Sequence, residues 1–145
     1  MSSDIKLILT VNSVIDNLSD GGLPDGEPEI NIFTTDGTLS VSEGGYLLRF
    51  TEVQDGSEAH TSLYITPEEV RLVKNGAITS EMRFSEGKIF NTLYCGGPYS
   101  FDMTVRTKKI RNSLTPDGGE LQLIYSMNVG GQEKTVRMKI SAKRK

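Results

Sequence analysis

Residues 98–140, "PYSFDMTVRTKKIRNSLTPDGGELQLIYSMNVGGQEKTVRMKI", decide the fold. Tyr99, Phe101, Met103 and Val105 alternate there with Ser100, Asp102, Thr104 and Arg106. The same alternation returns in Leu121, Leu123, Tyr125, Met127 and Val129, and again in Val136, Met138 and Ile140. Successive side chains of a strand point to opposite faces, so each run has a core side and a wetter side. Between the runs stand Gly118-Gly119 and Gly130-Gly131. Glycine adopts the positive φ angles that tight hairpin turns require. Three antiparallel strands joined by short turns follow from this stretch alone.

Upstream the pattern continues. Ile5, Leu7, Leu9 and Val11 share one face, as do Tyr46, Leu48 and Phe50. Turn signals recur at Asp36-Gly37, Gly44-Gly45, Asp55-Gly56, Asn75-Gly76, Gly87 and Gly96-Gly97, mostly about ten residues apart, the rhythm of a sandwich or barrel. No segment carries a sustained helical period. "TPEEVRLV" at 66–73 has a helix start, with room for one turn before Asn75-Gly76. A meander leaves two open edges, and closing it removes them. The expectation is therefore all-β: a single antiparallel up-and-down meander barrel of about eight to ten strands. It forms one domain over 1–145, with an acidic Gly/Pro loop at 16–29 that either lids one barrel end or is mobile.

The composition suits a globular domain: 145 residues, 36% hydrophobic and 24% charged. No apolar run approaches the roughly 20 residues of a membrane span, and the N-terminal stretch lacks the basic and apolar regions of a secretory signal. One cysteine forms no internal disulfide, which fits a reducing, cytoplasmic setting. The net charge of −3 hides an asymmetry. Residues 1–75 carry 4 Lys and Arg against 13 Asp and Glu, and residues 76–145 carry 12 against 6. Either the halves attract each other within one fold, the reading favoured here, or the second half presents a basic face.

Six segments, in order, carry a family resemblance: "VNSVI" (11–15), "YLLRFTE" (46–52), "ITPEEVRLVKNG" (65–76), "EMRFSEGK" (81–88), "PYSFDMTVRTKKI" (98–110) and "GGELQLIYSMNVGG" (118–131). Their order and spacing resemble the YwiB-like bacterial family of unknown function, with Ser100 where that family often has glycine. The resemblance implies a calycin-type β-barrel related in shape to lipocalins and fatty-acid-binding proteins. It brings no catalytic residues with it, and fold does not supply function.

Several chemistries find little footing. A thiolate nucleophile at Cys95 needs a base, and His60 is the one histidine. A buried structural cysteine and a surface histidine are the plainer readings. A structural zinc site wants four Cys or His ligands, more than the chain holds. The carboxylates Asp20, Asp25, Glu27 and Glu29 do not follow calcium-loop spacing. The glycine pairs precede strands, whereas phosphate loops precede a helix. Neither an enzyme, a metal nor a cofactor is expected.

Two surfaces remain. Inward positions include the polar Ser13, Ser80, Asn91 and Thr107, with Met82, Met103, Met127 and Met138 as adaptable lining. A few polar groups in an apolar pocket orient a ligand. The first expectation is a non-enzymatic barrel holding a small, largely apolar molecule against Ser80, Asn91, Tyr99 and Met103. The alternative is an interaction module whose outer basic face, Arg106, Lys108, Arg137 and Lys139, meets an anionic protein or RNA. Lys109, Arg111 and the tail 143–145 extend that face. The aromatics that RNA stacking would need sit on predicted inner positions, so nucleic acid is disfavoured. A homodimer is compatible with either reading.

Overall fold

The computed structural model describes residues 4–19, 23–54, 56–76, 78–96 and 99–145. Ten strands follow one another: β1 (Ile5–Asn17), β2 (Glu29–Ser42), β3 (Gly45–Gln54), β4 (Ser57–Ile65), β5 (Val70–Gly76), β6 (Ile78–Phe84), β7 (Ile89–Gly96), β8 (Tyr99–Asn112), β9 (Gly118–Val129) and β10 (Gln132–Arg144). Each pairs antiparallel with the next, and β1 pairs with β10, from Leu7 opposite Arg144 to Asn17 opposite Lys134. The meander therefore closes into a barrel, as expected. The Gly130-Gly131 turn shows why the tight connections form. Both residues have positive φ, 57° and 91°, as a two-residue turn between Val129 and Gln132 demands. Where a one-turn helix was conceivable, Thr66–Glu69 is a bare turn: the Thr66 backbone N–H donates to the Glu69 carbonyl, and its hydroxyl accepts from the Glu69 N–H at 3.1 Å.

The interior is one continuous apolar cluster. Leu7, Leu9, Leu39, Leu48, Leu63, Leu123 and Phe84 have no exposure, and the rings of Phe84 and Tyr125 meet across it at 4.6 Å. Burying such side chains is worth roughly 1.5–3 kcal/mol each, so this cluster dominates the stability.

Gly37 departs from the turn expected at Asp36-Gly37. It lies inside β2, opposite Leu7 on one side and Phe50 on the other. Leu9 occupies the space above it: a Cβ there would stand 2.5 Å from Leu9 Cδ1 and 3.1 Å from the Arg49 carbonyl oxygen. The glycine serves close packing within a strand, not a turn.

Two seams are incomplete. β2 and β3 pair only from Gly37–Phe50 to Ser42–Gly45, leaving the first half of β2 paired with β1 alone. Among the described residues, β6 and β7 pair at Ile78–Gly96, Thr79–Cys95 and Ser80–Tyr94 and part toward Phe84. Beyond that the β6–β7 turn is fastened to β8. Thr107 Oγ1 accepts the Ser85 N–H at 3.2 Å, the Thr107 carbonyl accepts the Gly87 N–H at 3.0 Å, and the Thr107 N–H donates to the Lys88 carbonyl at 3.2 Å.

The acidic connection is shorter than expected, because β1 runs to Asn17 and β2 begins at Glu29. Its described part folds back on itself, with Leu18 bridged to Pro24 and the Asp25 N–H donating to the Asn17 carbonyl at 2.7 Å. Asp20 lies outside the described residues, as do residues 97–98 of the Gly96-Gly97-Pro98 corner.

Candidate functional site

On β10, Val136 and Ile140 point into the core, so Arg137 and Lys139 point out. On β8, Met103, Val105 and Thr107 are buried and Arg106 is exposed. The register then shifts between Thr107 and Lys109, and Lys108 is the extra residue of a bulge. After the bulge Ile110 turns to the core, and Lys109 and Arg111 become the outward residues. Two outer rows result, one through Val14, Arg137, Ile124 and Lys109, the other through Asn12, Lys139, Gln122 and Arg111. Arg106 stands beside them, opposite Ser126.

The electrostatics of this face differ from those of the opposite wall. There, each Arg and Lys meets a carboxylate: Arg49 with Asp4 at 3.1 Å, Arg71 with Glu81 at 3.8 Å, Lys74 with Glu52 at 3.6 Å, and Arg83 with Glu69 and Glu81 at 4.0 Å. On β8–β10, among the described residues, Lys139 is matched with Glu120 at 3.6 Å and, at the rim, Arg144 with Asp117 at 3.1 Å. Among the described residues no carboxylate lies within 4.0 Å of Arg106, Lys108, Lys109, Arg111 or Arg137. Nor do ion pairs knit the acidic and basic halves of the chain together. Among the described residues six of the nine pairs fall within one half, and Arg71–Glu81, Arg83–Glu69 and Lys145–Asp36 cross between them.

The four residues expected to line the interior do not form one group. Ser80 and Met103 are buried in the barrel, at 5% and 2% exposure. Asn91 faces outward instead. β7 pairs Phe90 with Val105 and Thr92 with Met103, which turns those residues toward the core and Ile89, Asn91 and Leu93 away from it. Asn91 Oδ1 accepts a hydrogen bond from the exposed Thr104 hydroxyl at 3.0 Å. The alternation in "IFNTL" supports either phase, because apolar residues occupy both. Tyr99 lies at the barrel rim with 66% exposure, and Phe101 below it is 45% exposed. They keep the inward phase of β8 but stand past the packed interior.

Two hollows open to solvent. One, of about 840 Å³ at a barrel end, is lined by Tyr46, Ile65, Ile110, Glu68, Glu69 and Glu86 among others. The other, of about 660 Å³, lies along the diverging β2–β3 seam near Arg49, Thr51, His60 and Lys145. None of Ser80, Asn91, Tyr99 or Met103 lines either. Cys95 and His60 stand on β7 and β4, with two strands between them. The Cys95 thiol contacts the Ser100 hydroxyl at 3.4 Å, and His60 Nδ1 the Thr51 hydroxyl at 3.0 Å. Among the described residues no group of three metal-ligating side chains converges.

Residues 23–141 match a family described as a domain of unknown function, DUF1934. The chain belongs to the DUF1934 family. A relative, the uncharacterized beta-barrel protein YwiB of Bacillus subtilis (strain 168), is 25% identical over 134 residues, covering 92% of this chain and 89% of that protein. The crystal structure of the ywiB protein from Bacillus subtilis superimposes with a TM-score of 0.85 at 24% identity, over 99% of this chain and 95% of that one. The resemblance to YwiB drawn from segment order thus holds, and the ten-strand barrel is the fold this DUF1934 chain shares with it.

Proposed function

We propose that the protein is a non-enzymatic cytoplasmic binding module whose outer β8–β10 face holds an acidic protein segment. The observation that supports this reading is the pairing asymmetry among the described residues: arginines and lysines of the opposite wall have carboxylate partners within 4.0 Å, whereas those at 106, 108, 109, 111 and 137 do not. Unmatched like charges on one sheet repel, and an anionic partner relieves that repulsion. Outward neighbours of these cations are Ile124, Ser126 and Gln122, with no aromatic ring among them. Base stacking therefore has no platform on this face, which favours carboxylates over nucleic acid. A small apolar ligand inside the barrel has weaker support, since Asn91 faces outward and Ser80 and Met103 belong to packed walls.

The test is fluorescence anisotropy with a labelled oligoglutamate peptide, alongside a single-stranded oligonucleotide of equal charge. Replacing Arg106, Lys109, Arg111 and Arg137 together by Ser should raise the peptide Kd about tenfold or more, at roughly 0.3–1 kcal/mol per exposed contact. An unchanged Kd, or an oligonucleotide that binds far more tightly than the peptide, contradicts the reading.

A further inference from the structure

The first half of β2 is a ribbon with one edge in use. Residues 29–36 pair with β1 from Glu29 opposite Ile15 to Asp36 opposite Ile8, while pairing with β3 begins only at Gly37. Thr35, whose hydroxyl donates to the Thr51 carbonyl at 3.2 Å, marks where the two strands part. Above that point the outer face is open as well, while on the inner face Phe33 leans on Phe50 with ring centroids 6.2 Å apart. Glu29, Ile30, Asn31, Ile32 and Thr34 are exposed, Ile30 at 59% and Ile32 at 62%. A free row of backbone groups beside exposed apolar side chains is a template for another strand. Protective devices are missing from this edge: "EINIFTT" at 29–35 has no proline or lysine, and the β1–β2 register runs without a bulge.

We infer that this edge pairs with the same edge of a second copy, giving a two-fold symmetric dimer with one sheet continuous across both chains. The segment is self-complementary. An antiparallel register with its axis at Asn31 sets Ile30 opposite the partner's Ile32, and Ile32 opposite the partner's Ile30, on the same outer face. Glu29, the one charge between 29 and 35, falls opposite the partner's Phe33, so no like charges confront each other. The ladder over 29–33 stops two residues short of Thr35, where β2 rejoins β3. An isologous contact of this kind uses the edge up and leaves nothing to propagate.

The dimer would also extend the basic surface. Ile32, Asn12 and Lys139 lie on one outer row across β2, β1 and β10. At the ordinary spacing of strands the two Lys139 side chains would be about 25 Å apart on one face. This consequence rests on the proposed acidic-segment reading; the dimer itself does not, and its test contains no anion.

Size-exclusion chromatography with light scattering measures the mass over a range of protein concentrations. The wild type is expected at twice the 15.9 kDa chain. The Ile30→Lys/Ile32→Lys double variant, which sets lysine opposite lysine twice, is expected at the single-chain mass with unchanged circular dichroism. Ile32→Glu serves in its place should the double variant fold poorly. Hydrogen exchange supplies the residue-level readout: alternate amides across 29–33 should be protected in the wild type and lose protection in the variant. A wild type that stays at single-chain mass overturns the inference, and so does a dimer unaffected by these substitutions.

Discussion

Tyr125 sits at 2% exposure against Phe84, and burial pushes its phenol well above the ordinary value of 10.0, because desolvation disfavours the phenolate. The unfolded chain releases this proton near its ordinary pKa and the native state retains it to higher pH. The associated stability is complete below about pH 10 and is lost as the pH rises further. Urea midpoints measured from pH 9 to 11 should therefore fall in the wild type and fall less in Tyr125→Phe. A variant with the same alkaline slope would remove Tyr125 from the account. Residue positions were legible where apolar alternation is unambiguous: Leu7, Leu9, Leu48, Leu121 and Leu123 are all buried as their spacing predicts. Asn91 was not, because its apolar neighbours Ile89 and Leu93 are themselves exposed, at 52% and 55%.

Among elements, β2 and β8 each hold a departure from the sequence pattern. Asp36-Gly37 resembles a hairpin turn, yet Leu9 fills the space over Gly37 and keeps the strand continuous. Nothing local in the sequence distinguishes a glycine required for a turn from one required for packing across strands. Gly37→Ala should cost roughly 1–3 kcal/mol, the range for overpacking a close contact, and lower the melting temperature accordingly. An Ala variant as stable as the wild type would mean that Leu9 moves aside freely. β8 carries the second kind of departure. Its inward residues run Met103, Val105, Thr107 and then Ile110, a three-residue step that breaks the period of two and is the sequence trace of the bulge. Reading strict alternation through that step assigns Lys108 a regular outward position, which in the barrel belongs to Lys109 and Arg111. The basic face was visible in composition, and its membership depended on the bulge.

At the scale of the whole molecule, ten strands paired in sequence need little beyond turn spacing and alternation, which is why the barrel could be read without coordinates. What alternation cannot convey is where adjacent strands diverge, since both open seams consist of residues with ordinary strand patterning. It also cannot show which charges are matched. The acidic and basic halves suggested mutual attraction, but among the described residues ion pairs fall mostly within each half and leave Arg106, Lys109, Arg111 and Arg137 on the outer face unmatched. On the proposed reading, attraction there is long-ranged and open to screening, unlike binding in a closed pocket.

The most direct measurement is the oligoglutamate Kd as a function of sodium chloride, with the quadruple Ser variant in parallel. The account predicts wild-type affinity that falls steeply as salt rises, and a variant that is weak and nearly flat across the same range. Wild-type affinity indifferent to salt, or a variant with the wild-type slope, would contradict the claim that these unpaired cations form the binding face.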